Sequence, residues 1–320
     1  MLKSSRVGAI VLALLSAAVC AQTYPVKPVR VIVPFPPGAG ADIVARTVLP
    51  RLGEALGQQF IVDNRAGAAG NLGAEVAAHA PADGYTLLFT PASVASSQAL
   101  YPKLGYNLVK DLEPISMVAA APFVLVVHPS LPVKSVKDLI AMAKAKPGQL
   151  LYASTGNGGS PHLATEMFKQ QANIDITHIP YKGTPPAVTD LIAGQVSMMF
   201  ANTLSVLPYV NSGRLRALAI SSIKRSAAAP SLPTIAESGM PGFDSVTWFG
   251  LLAPTGVPRE AINRLNPELR RIVQSKALAD LLIAQGADPI GSSAEEFAAR
   301  IKADIAKFTV IIKTAGVRAE

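Results

Sequence analysis

Cysteine is almost missing from this chain, with one residue at position 20, and tryptophan occurs once, at 248. Aromatic residues make up 6% of the 320 positions and charged residues 16%. A single thiol forms no internal disulfide, and a chain that loses Cys20 on export tolerates an oxidising compartment. No run of Lys and Arg exceeds a pair such as Arg270-Arg271, and no aromatics interleave with them. The footprint of a nucleic-acid binder is therefore absent. His79, His128 and His178 show no ligand spacing with one another or with cysteine, so no metal site is expected. A Gly-x-Ser-x-Gly elbow is also lacking. Ser160 beside His162 then reads as a helix cap rather than a hydrolase nucleophile.

What is present begins with an export signal. Lys3 and Arg6 precede an apolar run from Val7 to Val19, and Val19-Cys20-Ala21 forms a small-residue cleavage site, so residues 1–21 read as a secretory leader. That run is short of the roughly 20 residues a membrane-spanning helix needs. Lipidation of Cys20 is the alternative, disfavoured because Val19 stands where a small residue is wanted. Without Lys3 and Arg6 the formal charge falls from +8 to +6, which permits attraction of anions. About 300 residues suit one large domain or two ordinary ones.

Apolar runs alternate with helical periodicity. Val29 to Phe35 reads as a strand ending in Pro36-Pro37-Gly38, with Asp42 placed to cap a helix bearing Val44, Val48, Leu52 and Leu56 on one face. Pro50 predicts a kink or a misplaced helix end. Strands follow at Phe60 to Val62, Tyr85 to Phe89, Leu150 to Ala153, Thr177 to Ile179, Ser197 to Phe200, Leu215 to Ile220 and Phe249 to Ala253. Helices are predicted over Asn71 to His79, after the Ser135 capping box, after Ser160-Pro161, near Pro185 to Ala193, and over Thr203 to Asn211. Three more close the chain: Pro258 to Ser275, Lys276 to Gln285, and one opened by Ser293. Strands spaced by helices predict parallel sheets. The expected architecture is α/β with two lobes: 22–121 plus 253–320, and 122–252. Strands near Met117 to Pro122 and Leu251 to Pro254 would cross between them.

Three small-residue loops carry the chemistry: Pro37 to Asp42, Gly67 to Asn71 and Thr155 to His162. Each is predicted between a strand end and a helix start, where unpaired N–H groups and a positive helix end suit a carboxylate or phosphate. Glycine lets a ligand approach the backbone. Gly38-Ala39-Gly40 followed by Asp63 imitates a dinucleotide fingerprint, but Ile43 replaces its third glycine. His162 either orients a carboxylate or is simply packed or solvated. Lys182 either reaches the cleft or is a surface charge, and Trp248 reads as core.

Pro36-Pro37-Gly38 to Asp42, then Val62-Asp63-Asn64-Arg65-Ala66-Gly67-Ala68-Ala69-Gly70-Asn71, then Asp83-Gly84-Tyr85-Thr86-Leu87-Leu88 resemble the extracytoplasmic receptors of tripartite tricarboxylate transporters, the Bug family. The likeness continues through Tyr152 to Leu163, Pro180-Tyr181-Lys182-Gly183, Leu215 to Ala219, Leu232 to Gly239 and Trp248 to Pro254, essentially the whole mature chain. It implies a periplasmic, hinged, type II-like binding protein, monomeric and without cofactor or catalysis. Such a protein grips a small carboxylate and delivers it to membrane permease subunits, or alternatively reports it to a signalling protein.

Carried over by position, the first jaw is Phe35, Pro37, Gly38, Ala39, Gly40 and Asp42. The second is Thr155, Gly156, Gly158, Gly159, Ser160 and His162. Thr90, Ser93, Tyr181, Gly183 and Asn202 line the cleft. A bulky residue at Gly38 is expected to weaken binding far more than stability. The family often has a glycine pair where Gly38-Ala39 stands and an aspartate at Ala201. That aspartate meets a ligand amino group, so its absence favours a purely anionic or aromatic acid, with Asn202 as the substitute.

Overall fold

The computed structural model describes residues 24–226 and 229–318, so the leader and Cys20 lie outside the described residues. In chain order its strands are β1 (Val29–Val33), β2 (Phe60–Asn64), β3 (Thr86–Pro91), β4 (Leu112–Val127), β5 (Leu151–Ser154), β6 (Thr177–Pro180), β7 (Met198–Asn202), β8 (Arg216–Ile220), β9 (Val246–Pro254) and β10 (Asp288–Pro289). The helices are α1 (Gly40–Leu56), α2 (Asn71–Ala78), α3 (Ser93–Leu100), α4 (Val136–Ala145), α5 (Ser160–Ala172), α6 (Thr184–Ile192), α7 (Thr203–Asn211), α8 (Arg259–Val273), α9 (Lys276–Gln285) and α10 (Ala294–Ala315).

The strands run in the order β2-β1-β3-β9-β4-β7-β5-β6, with β8 and β10 also on β4. Strand β4 belongs to both halves. Leu112 to Pro122 pairs with β9, and Phe123 to Val127 pairs with β7 and β8. Residues 24–122 and 246–318 thus build one half-sheet and its helices, and 123–245 the other.

Two expectations change here. Only β1 with β2 and β3, and β5 with β6 and β7, are parallel; β4 is antiparallel to every neighbour, and β3 is antiparallel to β9. The reason is that β4 leaves one lobe and β9 returns to it, so these two run in opposite directions. Leu251 to Pro254 lies inside the first half-sheet rather than at the crossing, which falls at Ser245-Val246.

Alternation along the strands explains the layers. Val31 and Val33 enter one core and Ile32 the other, so helices cover both faces of the first half-sheet. Leu125 and Val127 face one core of the second lobe, Val124 and Val126 the opposite one. Trp248 is fully buried against Phe297 and donates its indole N–H to Asp304 at 2.7 Å.

At the crossing Ser221 ties the strands together. Its hydroxyl accepts the Phe123 N–H at 2.8 Å and donates to the Ser245 carbonyl. The Thr203 hydroxyl donates to the Pro122 carbonyl at 2.9 Å.

Helix ends follow local chemistry. Ser135 accepts the Asp138 N–H, and Ser293 forms a full capping box with Glu296. Helix α1 continues through Pro50 to Leu56. The lost hydrogen bond there is outweighed by a buried face of Val44, Val48, Leu49 and Leu52.

Candidate functional site

Two cavities lie between the lobes and share Phe35 and Thr155 as walls. The inner one is narrow, with a cavity volume of about 20 Å³; the outer, more open one has about 270 Å³. Five helix starts reach the inner cavity: Gly40 and Ala41 of α1, Ser93 of α3, Ser160 of α5, Thr184 of α6, and Asn202 just ahead of α7. First-turn N–H groups have no carbonyl partner within their helix, and each helix start carries partial positive charge. Among the described residues, no Asp, Glu, Lys or Arg lines this cavity, and Lys182 is the only one lining the outer.

Three of these helices begin next to a residue suited to capping that does not cap. The caps of α3 and α5 are Ala92 and Gly159, one residue earlier than Ser93 and Ser160, and Asn202 precedes α7 without a side-chain cap bond. Ser93 Oγ, Ser160 Oγ and Asn202 Oδ1 are buried without a hydrogen-bond partner. Buried polar atoms are normally paired, so each is a group arranged for something else. The helix-cap reading of Ser160 is thereby corrected.

The expected site residues divide by position. Phe35, Ala39, Gly40, Ser93, Thr155, Ser160 and Asn202 line the inner cavity. Gly156, Tyr181 and Gly183 line the outer one, as do the second loop's Gly67 and Gly70, and Lys182 is exposed there. Pro37, Gly38, Asp42, Thr90, Gly158, Gly159 and His162 line neither.

Asp42 sits in the first turn of α1 rather than at its cap. It accepts hydrogen bonds from the Gly38 N–H at 3.0 Å, Arg46 Nε at 2.9 Å and Asn64 Nδ2 at 3.0 Å. Asn64 also donates to the Phe35 carbonyl, so this carboxylate braces the first jaw from behind. Burial opposes its charge, but the bonds from Arg46, Gly38 and Asn64 outweigh that and hold its pKa below the usual range. Such a group stabilises the fold above the unfolded carboxylate pKa, and the contribution is lost as pH falls through the folded value. Asp42→Ala is expected to cost about 2–3 kcal/mol in urea unfolding at neutral pH, with the gap to wild type closing in acid.

His162 is packed and buried. Tyr181 hangs over the outer cavity with its hydroxyl donated to Asp190 at 2.7 Å; burial and that bond push its pKa up to about 12, so it is a neutral wall. Sequence reasoning missed Thr184, Phe123, Thr247 and Phe249 as lining residues. Thr184 had a signal, because Gly183 followed by Thr184-Pro185-Pro186 is a helix start.

The lobes meet across the cleft. The Ser96 hydroxyl reaches the Gly158 carbonyl, and a Cβ placed on Gly183 would lie 2.8 Å from Cδ and Cγ of Pro36. A cleft closed around converging helix starts, hung on strands that cross between two α/β lobes, defines a two-lobed solute-binding protein of the periplasmic kind. Residues 44–317 match the family described as tripartite tricarboxylate transporter family receptor, and the chain belongs to this family. BugT of Bordetella pertussis is 40% identical over 306 residues, 95% of this chain and 94% of that protein. A protein of R. palustris solved with adipate is 37% identical, with a TM-score of 0.90 over 92% of this chain and 99% of its own. MatC of Rhodopseudomonas palustris with bound malate is 29% identical, with a TM-score of 0.85 over 90% of this chain and all of its own. As a member of a receptor family, this chain is a solute receptor and not an enzyme.

Proposed function

We propose that this receptor is exported to the periplasm through its residue 1–21 leader, binds a small carboxylate between its lobes as a monomer, and hands it to tripartite transporter permease subunits. The observation that carries the reading is the convergence of five helix starts and three unpaired polar atoms on a cavity with no charged side chain. A hydrogen bond to a charged group contributes about 1.5–3 kcal/mol, so three or four reach roughly micromolar affinity, about 8 kcal/mol. The inner cavity takes the carboxylate and the outer one the rest of the molecule. With no acidic side chain to meet an amino group, the ligand is anionic without an ammonium. Adipate and malate in the related structures have this chemistry.

A thermal-shift screen of the mature protein tests this, using adipate, malate, aromatic acids, amino acids and neutral solutes, with hits measured by calorimetry. Ligands of the folded form raise the melting temperature. Stabilisation confined to carboxylates without an amino group is expected; response only to neutral solutes would overturn the reading.

A further inference from the structure

The second-lobe loop, residues 155–159, rests on two stacked histidines. The rings of His162 on α5 and His178 on β6 lie 4.0 Å apart at 11°, with the ring of Tyr152 of β5 beside both, 4.8 Å from His178 and 6.2 Å from His162. His178 Nε2 is 2.6 Å from Ser154 Oγ, which accepts the Gly156 N–H, so one ring steadies the start of the loop. The other holds its middle: His162 Nδ1 accepts the Gly158 N–H at 3.0 Å. An accepting Nδ1 places the ring proton on Nε2, which faces Glu166 Oε1 at 3.9 Å. Glu166 is itself fixed by the Tyr152 hydroxyl at 2.6 Å and Lys169 Nζ at 2.8 Å. Burial, with the Lys169 charge, lowers the His162 pKa to about 4, so the ring is a neutral acceptor at ordinary pH.

The Gly158 carbonyl points into the other lobe. It accepts from Ser96 Oγ at 2.5 Å, and Ser96 also lies 2.8 Å from the Ser93 carbonyl of its own helix. A hydroxyl has one proton, so Ser96 serves one acceptor at a time. With the lobes apart it is satisfied within α3. With them together it bridges the cleft, and no buried donor is stranded in either state. The fit is close, since a Cβ on Gly158 would fall 2.3 Å from Leu100.

We propose that His162 is a positioning residue of the cleft: by holding the Gly158 N–H it fixes the tight turn, closed by the Gly159 N–H on the Gly156 carbonyl, whose next peptide presents the Gly158 carbonyl to Ser96, and this bond latches the closed lobes over the solute. The latch rests on the receptor reading above. It stabilises the closed form with or without a solute inside, and so slows the escape of a solute already bound.

The test separates acceptor geometry from packing. His162→Asn keeps a polar atom at the Nδ1 position, whereas His162→Gln places it at the Nε2 position. Adipate release, followed by stopped flow, is expected to quicken about tenfold in His162→Gln and in Ser96→Ala, and to stay within about threefold of wild type in His162→Asn. The Ser96→Ala/His162→Gln double variant should be no faster than either single one. Additive effects, or equal losses in Asn and Gln variants, would overturn the latch.

Spin labels at Leu72→Cys and Thr189→Cys, exposed positions on opposite lobes, give a second readout without ligand. His162→Gln and Ser96→Ala should shift the distances outward while His162→Asn does not; identical distributions refute the latch. If adipate fails to bind even the wild type, the choice of probe or the receptor reading is at fault, and the label distances still decide the latch. Should His162→Gln lower the melting temperature, Ser96→Ala carries the comparison.

Discussion

Gly183→Val is expected to weaken ligand binding by about ten- to a hundredfold while the protein stays folded. Gly183 has φ 113° and ψ 177°, a region essentially confined to glycine, and its backbone approaches Pro36 of the opposite lobe. A valine there meets two penalties, about 1–3 kcal/mol for the strained backbone and about 1–3 kcal/mol for overlap with Pro36. The overlap exists only with the lobes closed. Opening relieves it, so the substitution opposes the liganded form far more than the fold. Calorimetry with the best carboxylate, beside a urea melt, checks this; unchanged affinity would mean that Gly183 and Pro36 do not meet in the loaded receptor. Gly38, where the sequence directs the same test, is a weaker choice. A Cβ on it has nothing within 4 Å, and substitution there acts only through its φ of 79°.

Asn202→Asp should be at least as damaging to carboxylate binding. The side chain is nearly the same size, yet it brings a negative charge into a cavity whose lining has none and where no cation waits to offset it. Two like charges about 5 Å apart repel by about 3 kcal/mol at an effective dielectric of about 20, a loss of more than a hundredfold. The same variant should gain affinity for solutes that carry an ammonium. Titration of adipate and of an amino acid into both proteins reads the exchange. Equal affinity for adipate in the two would remove Asn202 from the carboxylate's surroundings.

Much of the fold was legible because its signals are local. The Ser293 box, the Lys276 to Gln285 helix and the β-branched run at Val29 each announce themselves within a few residues. Helix α3 did not. Its sequence, Ser-Val-Ala-Ser-Ser-Gln-Ala-Leu, is buried on nearly every side, so it shows no apolar stripe. Strand β4 was hidden by Pro114 and Pro122, which break the reading of sixteen residues that the lobes share.

The site shows the same division. The glycine loops lie at the cleft, and Phe35, Gly40, Ser160 and Asn202 line the inner cavity. Whether a given side chain faces the cavity depended on register, which moved Asp42 and His162 behind the loops. Phe123, Thr247 and Phe249 come from the crossing strands, which no local motif marks as a wall of the cleft.

The crossing strands also set a lever. Asn202 pairs with Phe123 beside the pivot, and Gly40 packs near it, while Gly183 and Pro36 belong to the outer cavity. When a body turns about a pivot, displacement grows with radius. A small twist at Pro122 and Ser245 therefore parts the rim widely and barely disturbs the deep end. A carboxylate seated at the deep end, as proposed, would leave last, by the side on which the jaws travel farthest.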